Sequence, residues 1–298
     1  MLPVLIVCYL RPEKLKTLLE SLKESNRRIF IFIDRANEPF LDLNAQVFNV
    51  ANEYVNAMDL VIKWEDTNQG VAHGVPAAMN WAFNHVDELI IIEDDCLPTQ
   101  FAYEFFENQK THLIGTSQML CATSPWVSDI SKENRTPLTL SSYPLIWGWC
   151  TTAKNWQSLS KLINAKTPHM RVAKTLFRYP SRIREVCFFY SAVIRVNRGK
   201  LKAWDCAIAL EMLLNGYKSI ISNQNLVDNS GQDVIASHFS NSESLLEEIV
   251  SKAQSGPASS VLDSSREWSQ RVDLAIEKNV YQLKWRQIFS PLKAMIGF

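Results

Sequence analysis

The chain has 298 residues, of which 47% are hydrophobic, so it can bury the core of one large domain or of two smaller ones. Its 31 basic and 31 acidic side chains balance, which argues against a nucleic-acid-binding protein, because such proteins usually carry a basic excess. No apolar run approaches the roughly 18 residues of a membrane span, and six scattered cysteines without a Cys-x-x-Cys pair are typical of reduced core residues.

The first hundred residues alternate predicted strands and helices. Short apolar runs predict strands over residues 3–9, Ile29–Ile33, Leu60–Trp64 and 89–92. Apolar positions with a 3.6-residue period predict helices after Pro12, over 47–58 and over 75–83. Parallel strands need crossover connections, so this order predicts an α/β fold with a doubly wound, mostly parallel sheet flanked by helices.

Three consecutive carboxylates, Glu93, Asp94 and Asp95, follow the fourth predicted strand. Pro98 is predicted to stop that strand, and a Phe-rich helix is expected after it. Acidic groups at the carboxyl end of a buried strand lie where open α/β sheets bind ligands. Their mutual repulsion would be relieved by a hard divalent cation such as Mg²⁺ or Mn²⁺. The alternative is an acidic turn that caps the next helix.

Glycine-rich phosphate-binding motifs are absent from the sequence. None of the nine glycines forms G-x-G-x-x-G after the first strand or a P-loop. A metal ion held by carboxylates is the other common way to hold a diphosphate, so this absence favours the metal interpretation.

Several short motifs follow one another in an order that resembles a known family. They are Val-Cys-Tyr-Leu-Arg at 7–11, Ile-Asp-Arg at 33–35, Asn-Gln-Gly at 68–70, Glu-Asp-Asp at 93–95, Trp-Gly-Trp at 147–149, Trp-Asp at 204–205 and a Gly-to-His segment at 231–238. Over about residues 3–240 the chain resembles GT-A fold nucleotide-sugar glycosyltransferases. The Glu-Asp-Asp form is similar to the N-acetylglucosaminyltransferase I family and its bacterial relatives.

The resemblance implies a role for each matching residue. Asp95 would bind the metal, and Asp205 would be the catalytic base that takes the proton of the acceptor hydroxyl. The implied donor-binding residues are Arg11, Asp34, Asn68, Gly70, Glu93, Asp94 and His238. The implied acceptor-pocket residues are Trp147, Gly148, Trp149 and Trp204. The chain departs from the family at Cys206, where the family has a second aspartate.

Asp205 and Glu211 each have a structural alternative. Asp205 starts a predicted helix that Asn215-Gly216 ends, so it could be a simple N-cap. Glu211 lies about two turns further along and is the second candidate for the base. Its alternative is a core-paired or exposed glutamate.

The chain changes character after about residue 240. We expect a catalytic domain over 1–240, with a nucleotide-sugar half to about 115 and an acceptor half after it, followed by a helical extension over 241–298. A helix is predicted over 266–289, with Pro291 ending it. This helix could pack back on the domain, or it could contact a membrane or a partner protein through its basic end at 284–293.

These patterns together predict an inverting, metal-dependent glycosyltransferase. The donor would be a nucleotide diphospho-sugar, UDP-sugar first, and the acceptor a hydroxyl of a saccharide or lipid-linked glycan. The alternative is a non-catalytic nucleotide-sugar or glycan-binding protein of the same fold. No leader segment precedes the first strand, so the expected location is the cytoplasm, including the inner face of the membrane.

Overall fold

Helices and strands alternate along the first part of the chain, as the sequence predicts. The computed structural model describes residues 1–114, 117–122, 138–163, 165, 168–222, 224–229 and 270–296. The strands are β1 (Val4–Cys8), β2 (Ile29–Ile33), β3 (Leu60–Trp64), β4 (Glu88–Glu93), β5 (Cys96–Pro98), β6 (Ser117–Cys121), β7 (Leu138–Ser141), β8 (Trp149–Thr152), β9 (Lys218–Ser222) and β10 (Val227–Asn229). The helices are α1 (Pro12–Leu22), α2 (Leu41–Glu53), α3 (Val71–Ala82), α4 (Gln100–Gln109), α5 (Ala153–Leu159), α6 (His169–Arg178), α7 (Ile183–Asn197), α8 (Asp205–Asn215), α9 (Gln270–Asn279) and α10 (Ser290–Ile296).

Eight of the described strands form one mixed sheet in the order β3-β2-β1-β4-β8-β6-β9-β7. The first four strands are parallel, β8 pairs antiparallel with β4, and β6 is again parallel to β9. The predicted fold class, a mostly parallel sheet flanked by helices with a C-terminal helical segment, is confirmed. Since parallel strands end at one edge of a sheet, β1, β2 and β4 bring Tyr9, Asp34 and Glu93 to the same edge.

Strands β1, β2 and β4 are buried on both faces, which explains why they appear as apolar runs, whereas the edge strand β3 is half-buried. Leu5, Phe30 and Ile91 belong to the core on one side of the sheet. Ile6 and Ile31 belong to the core on the other side. All six cysteines are buried and unpaired, as predicted.

Pro98 does not simply end the fourth strand. It lies in the short strand β5, which pairs antiparallel with β10, so that Pro98 is opposite Val227. Proline is tolerated there because a two-stranded ladder leaves one side of each strand unpaired. Strand β5 begins directly after Asp95, and its pairing with β10 fixes the chain that follows the acidic residues.

The long C-terminal helix predicted over 266–289 is interrupted. The described residues form α9, then a 3-10 turn over Trp285–Phe289, then α10. Gln282 adopts a left-handed backbone conformation with φ of 49°, which a continuous helix does not allow. Pro291 does not end a helix but lies in the first turn of α10, where its missing N–H is not needed.

Helix α9 packs back on the sheet, one of the two uses considered from the sequence. Asp273 accepts hydrogen bonds from Ser141 Oγ at 2.7 Å and from the Ser142 backbone N–H at 3.0 Å. Val272 and Ile276 are buried in the main core. Within the described ranges, no helix combines the length and the apolar character that crossing a bilayer requires.

Candidate functional site

A cavity of about 210 Å³ lies at the carboxyl ends of the parallel strands. Strand β1 and the residues after it form one wall, and Gly70 and Val71 at the start of α3 form another. The cavity brings together six of the predicted donor-binding residues, which are Arg11, Asp34, Asn68, Gly70, Glu93 and Asp94. Lys202, which the sequence analysis did not single out, also lines it.

The acidic residues after β4 surround a guanidinium group. Arg11 Nη1 lies 2.8 Å from Asp94 Oδ1 and 3.3 Å from Asp95 Oδ2. Asp94 Oδ2 also accepts the backbone N–H of Tyr9 at 3.1 Å. The side chain of Asp94 is only 4% exposed, whereas that of Asp95 is 17% exposed. Asp94 is therefore tied into the structure, and Asp95 is the aspartate that a ligand reaches more easily.

Crowding and burial change the protonation of this cluster. Burial, with the charges of Asp95, Asp94 and Asp205, raises the pKa of Glu93 to about 8 against the opposing effect of Arg11. Burial also raises the pKa of Asp94 to about 6, although the guanidinium of Arg11 opposes that rise. Burial and the neighbouring negative charges thus favour the protonated form of Glu93, which can donate a hydrogen bond to a ligand hydroxyl or phosphate.

Asp34 shapes the opposite wall of the cavity. Its Oδ1 accepts the backbone N–H of Gln69 at 2.7 Å, and its Oδ2 accepts that of Gly70 at 2.9 Å. Burial raises the pKa of Asp34, while these hydrogen bonds lower it. Gly70 has φ of +67° and ψ of 161°, a conformation that only glycine adopts without strain. Asp34 thus anchors the loop that leads into α3, besides lining the cavity.

Asn44 is a site-supporting residue that the sequence analysis missed. The side chain is fully buried, and its Nδ2 donates to the carbonyl oxygens of Tyr9 at 2.7 Å and Asp34 at 2.9 Å. Its Oδ1 accepts the indole N–H of Trp64 at 2.9 Å. One amide therefore ties together the ends of β1, β2 and β3. The sequence signal that could have identified Asn44 is a single polar residue on the apolar side of α2.

Asp205 is the first residue of α8, and Trp204 occupies the N-cap position. The interpretation of Asp205 as the N-cap itself is therefore wrong. Its carboxylate is close enough to the acidic cluster to raise the pKa of Glu93 by electrostatic repulsion. The structure thus brings the predicted base into the field of the predicted metal-binding residues, although the two lie far apart in the sequence.

Glu211, the second candidate for the base, is a buried structural residue. It is 1% exposed, and both of its carboxylate oxygens accept from the Arg171 guanidinium at 2.9 Å. Asn215 Nδ2 donates to Oε1 at 2.8 Å. This is the core-paired alternative, and a carboxylate so engaged has little freedom to accept a further proton.

The tryptophans assigned to the acceptor pocket have unequal access to it. Trp149 and Trp204 are 1% and 3% exposed, and their rings stack at 6.0 Å between centroids. Trp149 is therefore a core residue, and its assignment to sugar contact is wrong because its faces are covered. Trp147 is partly buried and packs against both cores. Gly148 has no room for a side chain, because a Cβ there would lie 2.7 Å from Val227 Cγ2.

A second and larger cleft, of about 850 Å³, adjoins the first cavity. Val71 and Lys202 line the small cavity, whereas Ala72 and Trp204, which follow them closely in sequence, line the large cleft. Cys206 also lines the large cleft. Asp205 lies in sequence between two residues of the large cleft, and its charge reaches Glu93 in the small one. Asp205 itself lines neither space, but it flanks residues of the large one in sequence and interacts electrostatically with Glu93 of the small one.

His238 and the 231–238 segment lie outside the described residues, so their predicted contact with the diphosphate or metal stays a prediction. In the described part of the chain, no group of three or more His, Cys, Asp or Glu residues is arranged to hold a metal ion. These residues therefore do not build an all-protein metal cage. They fit the other mode of Mg²⁺ binding, in which one or two carboxylates act together with substrate phosphates and water.

No family model matches the chain, and no curated protein matches it either. Among solved structures, the chain is similar to the glycosyltransferase GlyE of Streptococcus pneumoniae TIGR4, with 12% identity, a TM-score of 0.33, and coverage of 60% of this chain and 40% of that one. The apo form of GlyE matches with 11% identity, a TM-score of 0.33 and coverage of 79% and 57%. A UDP-glucose pyrophosphorylase complexed with UDP-glucose matches with 9% identity, a TM-score of 0.40 and coverage of 74% and 90%. These similarities are too low to carry an argument about function, which rests instead on the side chains of the site.

Proposed function

We propose that this protein is a metal-dependent glycosyltransferase that uses a nucleotide diphospho-sugar and inverts the anomeric configuration. The observation that carries the proposal is the electrostatic effect of Asp205, which lies between two residues of the large cleft in sequence, on Glu93 in the small cavity. Sugar transfer needs a site for the donor, a site for the acceptor and a carboxylate between them. The small cavity, the large cleft and Asp205 would supply these three parts.

The donor fits the small cavity at the strand ends. Arg11 and Lys202 supply positive charge there, and Asp95 would hold Mn²⁺ or Mg²⁺ together with the diphosphate. When bound, such a cation stabilises the negative charge that develops on the leaving diphosphate. Protonated Glu93 would donate a hydrogen bond to a hydroxyl of the donor sugar. Asp34 and Gly70 hold the loop on which the nucleoside would rest.

The acceptor fits the large cleft beside α8. His73, His169 and Asn197 supply polar groups among its apolar lining, as expected for a saccharide or a lipid-linked glycan. Asp205 would take the proton from the acceptor hydroxyl as that oxygen attacks the anomeric carbon, and the diphosphate would leave from the opposite face. A single displacement of this kind inverts the anomeric configuration.

The test compares Asp205→Asn with the wild-type protein across a panel of nucleotide sugars and saccharide acceptors. We expect turnover, measured as release of nucleoside diphosphate, to fall by about 10²- to 10⁴-fold, the usual contribution of a general base. Nucleotide affinity should stay unchanged, because Asn keeps the shape of the side chain. Asp87→Asn is the matched control, since Asp87 is exposed and lies just before β4, at its opposite end. Near-normal turnover by Asp205→Asn, or a product that retains the donor's anomeric configuration by NMR, would contradict the proposal.

The second candidate function is non-catalytic binding of a nucleotide sugar or a glycan. It is favoured by Cys206, which stands where the resembled family has a second aspartate and which is buried, so that the pKa of its thiol is raised. The same panel separates the two functions. Metal-dependent nucleotide-sugar binding without any turnover by the wild-type protein would support the binding function.

A further inference from the structure

Exposed apolar side chains form a stripe along the last described helical segment. Trp285, Phe289, Leu292 and Ile296, which we name the C-terminal apolar stripe, are each more than 60% exposed. Leu292 and Ile296 are four residues apart in α10 and lie on one face of that helix, and Trp285 and Phe289 precede them in the 3-10 turn. The opposite side of α10 is attached to the domain, because Ala294 is buried and its carbonyl oxygen accepts from Arg198 Nη1 at 2.6 Å. The stripe therefore faces away from the body of the protein.

Positive charge flanks this stripe. Lys284, Arg286 and Lys293 are exposed, and residues 284–296 contain no Asp or Glu. This local excess stands out in a chain whose formal net charge is zero. The Arg184 guanidinium lies 5.7 Å from the centre of the Trp285 ring, but it is paired with Glu185 and Glu277 and adds no net positive charge. The segment thus combines exposed aromatic and aliphatic groups with cations only.

We propose that the C-terminal apolar stripe docks on the surface of an anionic phospholipid bilayer. Amphipathic helices that lie in the bilayer interface combine an apolar face bearing Trp, Phe or Leu with Lys and Arg beside it. The apolar side chains would enter the boundary between headgroups and acyl chains, and Lys284, Arg286 and Lys293 would contact the negative headgroups. The location of α10 on the outside of α7 leaves the stripe free to approach such a flat surface.

Charge complementarity decides between a membrane and other occupants. A symmetric contact with a second copy of the chain would bring identical cations together, which is unfavourable. A protein partner would need a matching acidic patch to neutralise Lys284, Arg286 and Lys293, whereas an anionic leaflet presents negative charge over its whole surface. A bilayer rich in anionic lipid offers both an apolar layer and a compensating charge. The proposal does not depend on the proposed enzymatic function, because its measurement is lipid binding alone.

The test is flotation of the full chain with phosphatidylcholine vesicles that contain or lack phosphatidylglycerol. We expect the wild-type protein to float with the anionic vesicles, and the bound fraction to fall as salt is added. The double variant Trp285→Ser with Phe289→Ser should bind about tenfold more weakly or worse, and Arg286→Glu with Lys293→Glu should lose the preference for anionic vesicles. Ile114→Ser is the matched control, because it removes an equally exposed apolar side chain elsewhere and should leave binding unchanged.

Several results would overturn the proposal. The first is failure of the wild-type protein to float with anionic vesicles. The second is equal flotation of the wild-type protein and the Trp285→Ser, Phe289→Ser variant, with circular dichroism showing that both are folded. The third is a dimer, detected by light scattering, that the same variant dissociates and that does not bind vesicles, since this would assign the stripe to self-association.

Discussion

Two adjacent aspartates at the end of β4 have different surroundings, and this difference determines what each can do. Asp94 accepts hydrogen bonds from Arg11 and from the Tyr9 backbone, and it is nearly covered. Asp95 shares the same guanidinium at a longer distance and has more contact with solvent. A buried carboxylate that accepts structural hydrogen bonds is less free to bind a cation. Of the two, Asp95 is therefore the better candidate for the proposed metal ligand.

We predict that Asp95→Asn weakens the metal-dependent part of nucleotide binding. An amide is a weaker ligand for a hard cation than a carboxylate. We therefore expect the affinity for UDP in the presence of Mn²⁺ to fall by about 10- to 100-fold, as it does when residues that support a metal ligand are mutated. Calorimetric titration of UDP in the presence of Mn²⁺ or of a chelator measures this effect. Asp87→Asn should behave as the wild-type protein does. An unchanged dependence on Mn²⁺ in Asp95→Asn would show that the metal assignment is wrong.

Helix α2 contributes to the site through a single amide, although none of its residues lines the small cavity. Asn44 holds the ends of three strands together through its hydrogen bonds. Trp64, which donates one of these hydrogen bonds, also stacks on Phe48 with 4.8 Å between the ring centroids. The strand ends carry Tyr9 and Asp34, so their relative positions set the width of the cavity. Packing on one side of the sheet thus controls the geometry at its edge.

We predict that Asn44→Ala both destabilises the protein and weakens nucleotide binding. The variant leaves two carbonyl oxygens and one indole N–H without their partner, and each unsatisfied buried group costs about 1–3 kcal/mol. Urea unfolding measures the stability, and calorimetry measures the affinity. Asn52→Ala is the control, because Asn52 is exposed near the end of the same helix and should change the free energy of unfolding by less than about 0.5 kcal/mol. A loss no larger than that of the control would refute the role given to Asn44.

Elements buried on both faces could be predicted from the sequence, and those fixed by long-range contacts could not. The bounds of β2 agree with the prediction because its apolar run is short and continuous, and those of the half-buried edge strand β3 agree although Lys63 interrupts its run. The apolar period of the C-terminal helix continues past the left-handed turn at Gln282, so the interruption leaves no sequence signal. In the site, the run of three carboxylates was visible from the sequence. Asn44 and Lys202 were not, because a single polar residue carries no period.

At the scale of the whole molecule, α9 is held to the sheet by a buried polar cluster as well as by apolar packing. The Tyr143 hydroxyl donates to Glu277 Oε1 at 2.8 Å, and Arg184 forms an ion pair with the other carboxylate oxygen. Burial raises the pKa of Glu277, and Glu185 and Asp273 raise it further against the opposing effects of Tyr143 and Arg184. The attachment of this helix is therefore sensitive to pH.

We predict that Glu277 makes the protein less stable as the pH rises. A raised pKa in the folded state means that the folded protein binds this proton more tightly than the unfolded chain does. The stabilisation is present below about pH 4.5, the ordinary value, and is lost as the pH rises through the folded-state pKa. Glu277→Gln mimics the protonated form. The stability of the wild-type protein relative to this variant should therefore fall in urea unfolding as the pH rises above about 4.5 and through the raised pKa of Glu277.

The control for this prediction is Glu104→Gln, which removes an exposed carboxylate on α4. Any pH dependence that Glu104→Gln shares with Glu277→Gln is not specific to the buried cluster and is subtracted. A difference between the wild-type protein and Glu277→Gln that stays constant or grows with pH would contradict the prediction.

The docking of α9 on β7 also has a consequence for biosynthesis. Strand β7 lies at the edge of the sheet. Ser141 and Ser142 at its end donate hydrogen bonds to the carboxylate of Asp273, which belongs to α9. The pairings among β1, β2, β3 and β4 all lie within residues 4–93, so these strands can assemble before the rest of the chain has been translated. The far edge of the sheet must wait until residues beyond Gln270 have left the ribosome. The edge at β7 is therefore exposed to chaperones or to aggregation until α9 has emerged.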